Sequence, residues 1–354
     1  MLAGSETLSE NPSVVDGTGA GAQFAFPRSL ALDQSGNIYV ADGPITGSNN
    51  TEVPIMRKVT PAGVVTTLTG FTYAYSFAID GNNNFFGVSQ STAGFFSATI
   101  GGPQLVSGVF VEANTAGQQQ GLDADVTPGY LNGLLVNAQF DQPTKMVIDA
   151  NGNLYVVDFG NCLIRKITPD GTVSTMAGTP QVHGHTDGLG SQATFDYIVG
   201  LAVDRAGNVY VSDASYFIAG VGAEEAATPT YAVIRKITPA GVVITYAGSN
   251  NAVGNADGVG PAATFDGIGA LTVDDAGNLY VTDSSANAAL VRMVTPAGVV
   301  STVASVTPYA NTPDYSVAPP IMTFTWAFSD IVWAGNGVLY STIGNGVAKI
   351  QLPQ

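Results

Sequence analysis

Four carboxylate–guanidinium pairs could do chemistry in this sequence: Asp42 with Arg57, Asp158 with Arg165, Asp213 with Arg235 and Asp283 with Arg292. An aspartate held beside an arginine can serve acid–base catalysis. One active site, however, needs one set, and this pair recurs four times in the same local context. The recurrence points to charge-assisted hydrogen bonds that hold a loop. Asp16, Asp187 and Asp257 each open a D-G-x-G segment. They recur in the same way and read as turn formers.

Other reactive residues break the pattern. Asp141, Asp196 and Asp266 each follow a Phe, where two other copies have Ala25 and Thr325. Three carboxylates on adjacent copies could bind Ca²⁺ or supply acid–base chemistry; bracing a loop is the competing reading. His183 and His185 are the only histidines, in Val-His-Gly-His-Thr-Asp187. Alternate histidines can face one metal, but a catalytic zinc needs three protein ligands, and solvated loop histidines are the competing reading. Cys162, the single cysteine, has no histidine near it in sequence, so nothing supports a nucleophile. Asp123 with Asp125 and Glu224 with Glu225 lack the ligand spacing of a calcium loop. No P-loop, G-x-S-x-G or dinucleotide motif occurs.

The elements that position these residues come from an internal repeat. Leu30–Asp42, Met146–Asp158, Leu201–Asp213 and Leu271–Asp283 share the pattern apolar-x-apolar-Asp-x-x-Gly-Asn-apolar-Tyr-Val-x-Asp. Each is followed by an Arg-bearing strand, a Thr-Pro-x-Gly turn and a β-branched run. Weaker copies begin at Phe77 and Ile331, which makes six units. Each unit reads as four short strands, a to d, with a tight Asp-x-x-Gly-Asn turn between a and b. No 11-residue stretch carries a 3.6-residue apolar period, so helices should be nearly absent. Four-stranded units at fixed phase predict an all-β fold: a six-bladed β-propeller spanning residues 1–354 as one domain. Met1-Leu-Ala-Gly4 matches the strand-d ends Met176-Ala-Gly178 and Tyr246-Ala-Gly248, and the chain stops after strand c of unit six. The N-terminus is therefore expected to supply the missing strand of blade six and remove its open edge.

In such a ring the d–a and b–c loops share one face, the top. The residue before each strand a should ring the channel mouth: Ser29, Ser76, Lys145, Gly200, Ala270 and Asp330. Blades 3 and 6 lie opposite, so Lys145 and Asp330 should face each other, with Arg28 beside Asp330 and Tyr75 in the adjoining ring. Repeat-breaking polar groups at a concave mouth mark ligand contacts. The expected binding set is Arg28, Tyr75, Lys145, Asp141, Asp196, Asp266 and Asp330; an ion pair lining the channel is the competing reading.

The Gly-Asn-apolar-Tyr-Val-x-Asp motif, the following Ile-Arg-Lys-Ile-Thr-Pro and the D-G-x-G lead-ins resemble the NHL-repeat family of six-bladed propellers. The resemblance covers nearly the whole chain. It implies the fold strongly and the function weakly, since relatives include RNA-binding modules, scaffolds, a lyase and, more distantly, lactonases.

Composition narrows the function classes. The chain has 354 residues, with 27 Asp and Glu against 11 Lys and Arg, a formal charge of −16. Nucleic acid is thereby disfavoured as a partner. No long apolar run spans a bilayer, one cysteine excludes a disulfide framework, and no signal peptide opens the chain. Low Lys with abundant Gly, Thr, Asn and Val suggests an extracytoplasmic bacterial protein, in this reading a monomer. Basic residues concentrate on strand c, so the top face should be acidic and suit cations, basic ligands or polyhydroxylated ligands. The sequence thus predicts a non-enzymatic binding or scaffold propeller for a small molecule, glycan or protein. The alternative is a top-channel enzyme, lyase or lactonase-like and possibly metal-dependent.

Overall fold

The computed structural model describes residues 1–5, 14–43, 55–68, 76–89, 94–99, 128–135, 137–215, 230–284, 289–306 and 329–353. They fold into six antiparallel sheets arranged as a β-propeller. In blade 4, strands a to d are Tyr197–Val203, Val209–Ala214, Ala232–Ile237 and Val242–Ser249. Blades 1, 3 and 5 repeat this order. Blade 2 has three described strands, Ser76–Ile79, Asn84–Ser89 and Gly94–Thr99, so five of the six sheets carry the full set of four. Among the described residues the only helical segments are short 3-10 turns.

Local chemistry explains the repeat. Asp33 Oδ1 accepts the backbone N–H of Ser35 and of Asn37, each at 2.9 Å, and Oδ2 accepts Asn37 Nδ2 at 2.7 Å. The Tyr39 hydroxyl donates to the same Oδ2 at 3.3 Å. Asp149, Asp204 and Asp274 hold their turns in the same way, so the Asp, Asn and Tyr of the motif form one hydrogen-bonded unit. Burial, with the adjacent carboxylate second, pushes Tyr39, Tyr155 and Tyr280 up to about 12.

Strand b is apolar at successive positions because both faces of a blade are covered. Ile38 and Val40 pack toward blade 6, whereas Tyr39 and Ala41 pack toward blade 2. Six apolar clusters result, one at each junction between neighbouring blades. The junction of blades 6 and 1 is sealed by the N-terminus. Ala3, Gly4 and Ser5 pair with Val347, Gly346 and Asn345, and the Leu2 N–H donates to Val347 O at 2.8 Å.

The lead-in segments form something the repeat does not announce: a fifth, outermost strand. Gly17–Thr18, Gly188–Leu189 and Gly258–Val259 each pair with strand d of their own blade. Gly133–Leu134 does so in blade 3. Loop residues 44–54, 69–75, 100–127 and 216–229 lie outside the described residues. So do Tyr75, Asp123, Asp125, Glu224 and Glu225.

Candidate binding site at the channel mouth

The four recurrent Asp–Arg pairs are internal struts. Arg235 Nη1 donates to Asp213 Oδ2 at 3.0 Å and to Thr194 O at 3.2 Å. Its Nη2 donates to Thr186 O at 2.9 Å and to Asp187 Oδ1 at 2.8 Å. Asp213 Oδ1 in turn accepts the Asp196 N–H. Arg57, Arg165 and Arg292 repeat this pattern, and all four guanidinium groups are fully buried. Each lies 4.6–5.3 Å from the ring of the lead-in Phe: Phe24, Phe140, Phe195 or Phe265. One arginine thus ties the end of strand b, the lead-in and strand c together. Burial is the dominant influence on the strut carboxyls. It pushes Asp158 up to about 6 and Asp213 up to about 7, against the pull of the arginines.

This geometry corrects the reading of Asp16, Asp187 and Asp257 as simple turn formers. Each is the second carboxylate on a strut arginine, at 2.8–3.1 Å. In blade 3 the same place is taken by Asn132, 2.9 Å from Arg165 Nη2. In blade 6 Thr342 substitutes for the strut aspartate, its hydroxyl accepting the N–H groups of Ser329 and Asp330. The Leu131-Asn132-Gly133 run was the available signal for the first. For the second it was the position of Thr342 at the end of strand b.

Six strands a enclose a central cavity of about 270 Å³. Ser29, Ser76, Lys145, Gly200, Ala270 and Asp330 all line it. Lys145 Nζ and Asp330 Oδ1 lie 3.4 Å apart, joining opposite blades across the mouth. Asp330 Oδ2 also accepts the Leu30 N–H at 2.9 Å, which bridges blade 6 to blade 1. Ser76 and Ser212 make similar crossings: the Met146 N–H donates to Ser76 Oγ, and Ser212 Oγ donates to Gly269 O. Arg28 does not line the cavity; its guanidinium reaches Gly43 O at 3.5 Å.

Asp141, Asp196 and Asp266 occupy one position in three successive blades, each with its backbone N–H donated to the strut aspartate. They are not assembled with one another. Among the described residues no three His, Cys, Asp or Glu side chains are arranged to hold a metal ion. Asp196 has the richest surroundings. Its Oδ1 is 3.1 Å from His183 Nδ1, and the Tyr231 hydroxyl donates to its Oδ2 at 3.3 Å. The buried Cys162 Sγ lies 3.6 and 3.7 Å from the two nitrogens of His183. His185 packs on Tyr231 instead, and Asp187 is taken by Arg235, so the His-Gly-His-Thr-Asp run does not converge.

Comparison with known proteins agrees with this architecture. An NHL repeat model matches residues 140–167, which contain Phe140, Asp158 and Arg165 of the blade 3 strut. Blade 3 thus carries an NHL repeat within a β-propeller fold. Curated proteins give no match. Among solved structures, this propeller is similar to a gluconolactonase from Xanthomonas campestris. The identity is 12% and the TM-score 0.52, covering 94% of this chain and 87% of that one. It is also similar to a catalytically inactive virginiamycin B lyase from Staphylococcus aureus with quinupristin. There the identity is 12% and the TM-score 0.50, covering 97% of this chain and all of that one. At these identities the likeness of this propeller to both is one of fold.

Proposed function

We propose that this propeller is a non-enzymatic binding module whose ligand sits at the channel mouth. The observation that carries the reading is the Lys145–Asp330 pair. Among the described residues it is the only oppositely charged pair lining the cavity, it breaks the repeat, and it spans opposite blades. A small ligand bearing both a carboxylate and hydrogen-bond donors can replace each half of that pair, the carboxylate taking Lys145 and the donors taking Asp330. Sugar acids and amino acids have this chemistry. The strut aspartates are spent on the scaffold.

The test is a thermal-shift screen of sugar acids, amino acids and short peptides, followed by Lys145→Met and Asp330→Asn. A hit is expected to stabilise the native protein and to lose affinity about 10-fold or more in either variant. Both variants should keep the fold by circular dichroism. Unchanged affinity in both would remove the mouth as the site. The fold likeness to a gluconolactonase and a lyase keeps a channel-mouth enzyme as the second reading. Turnover of an added lactone, abolished by the same substitutions, would replace the binding reading with that one.

A further inference from the structure

The cavity beneath the mouth is walled by strand edges. Among the described strands, strand a ends every sheet, so one of its edges has no partner strand. The ladder to strand b fixes which groups lie on that edge. The Asp33 N–H donates to Asn37 O at 3.0 Å, and the same bond recurs at Asp80, Asp149, Asp204 and Asp274. Residues one and three places earlier, such as Leu32 and Leu30, therefore turn their N–H and C=O away from strand b, toward the channel. Their side chains lie sideways. Leu30 and Leu32 pack into the junction of blades 6 and 1, and Ala31 into that of blades 1 and 2. Every apolar residue lining the cavity belongs in the same way to a junction cluster.

This peptide wall is capped only in part. At its upper level the Leu30 and Ile331 N–H groups donate to Asp330, and the Met146 N–H donates to Ser76 Oγ. Among the described residues no side-chain oxygen accepts the N–H of Phe77, Leu201 or Leu271, the counterparts in blades 2, 4 and 5. Blades 2 and 5 lie opposite, so these donors face the cavity from both sides. Among the described residues, Lys145 and Asp330 are the only charged side chains that line it. Ser29, Ser76, Gly200 and Ala270 complete the mouth ring, and their small size leaves room beside the ion pair. The space below is therefore uncharged and rich in peptide groups.

We propose that the ligand is a free α-amino acid with an uncharged carboxamide side chain, an inference that rests on the channel-mouth reading and narrows it. The α-carboxylate takes Lys145 and the α-ammonium takes Asp330, each replacing the charge it displaces. The side chain then runs down the channel. A carboxamide carries the same N–H donors and carbonyl acceptor as a peptide, so it answers a wall of strand edges. An aliphatic side chain leaves those edge groups without partners. A charged one loses its water and meets no opposite charge below the mouth. The size agrees: a cavity of about 270 Å³ lies just under the roughly 300 Å³ at which small-molecule pockets begin, and suits a ligand no larger than an amino acid.

The test is isothermal titration of the full chain with L-glutamine and L-asparagine, set against L-glutamate, L-lysine, L-leucine and a sugar acid. One of the two carboxamides should bind, and about 10-fold or more tighter than each comparator. Its affinity should fall about 10-fold or more in Lys145→Met and in Asp330→Asn. The ranking on the parent protein needs no variant, so a misfolded variant does not blunt it. L-leucine or L-glutamate binding as tightly as the carboxamides would overturn the inference. A sugar acid that binds and is lost in both variants, with no amino acid bound, would overturn it too while leaving the mouth as the site. Carboxamide binding that is unchanged in both variants would remove the mouth itself, and the inference with it.

Discussion

Arg235→Met should lower the unfolding free energy by about 3–5 kcal/mol, the cost of removing one partner from a buried ion pair. Asp213 is fully buried with Arg235 as its cation, and the same guanidinium ties down Thr186, Asp187 and Thr194. The loss should depend on pH in a definite direction. Burial already holds Asp213 near 7, above its ordinary 3.8. Without Arg235 it moves higher still. A carboxyl whose folded value is raised contributes stability that is fully present below the unfolded value and is lost as pH rises through the folded one. The gap between parent and variant should therefore stay flat from about pH 4 to 6 and widen as pH rises above about 7, where the parent carboxyl ionises and the variant's does not. Urea titrations at several pH values measure it, and a gap independent of pH would contradict the burial argument. Asp187→Ala is the contrast. Its carboxylate is 47% exposed, so its loss should cost no more than about 1 kcal/mol.

Gly4→Val should open the ring. Gly4 sits at φ +83°, and a Cβ there would lie 2.5 Å from Asn345 O and 2.8 Å from Phe24 Cδ2. Left-handed strain and a forced clash add to about 2–6 kcal/mol, enough to displace a three-residue strand. Asn345–Gln351 would then present an unpaired edge, which invites pairing between chains. A lower melting temperature together with a shift to larger species in size-exclusion chromatography is expected. Gly248→Val meets a similar clash, with Ala232 O at 2.5 Å, but lies within the continuous Val242–Ser249 strand and bares no such edge. It should destabilise without self-association. A Gly4→Val protein that melts and elutes like the parent would show that the N-terminal strand does not close the propeller.

Much of the fold was legible because its instructions are local. The Asp33, Asn37 and Tyr39 unit closes within seven residues, so each copy writes the whole turn into contiguous sequence. The apolar run of strand b reports a blade covered on both faces. Even the ring closure could be read, because Met1-Leu-Ala-Gly4 repeats a strand-d ending. The struts were half legible. Recurrence showed that Asp213 and Arg235 were structural, yet it hid that Asp187 completes the same arginine, because that contact folds the lead-in back across the blade.

The sequence by itself determined the repeat, the strands, the tight turns and the acidic balance, all set by neighbours along the chain or by composition. Only the tertiary structure decided which repeat-breaking side chains meet. Lys145 reaches Asp330 because blades 3 and 6 are opposite points of a closed circle. His183 covers Cys162 because the lead-in of one blade lies over the b–c turn of the blade before it. Those distances come from ring curvature and from packing summed over every junction, and no stretch of contiguous residues records them.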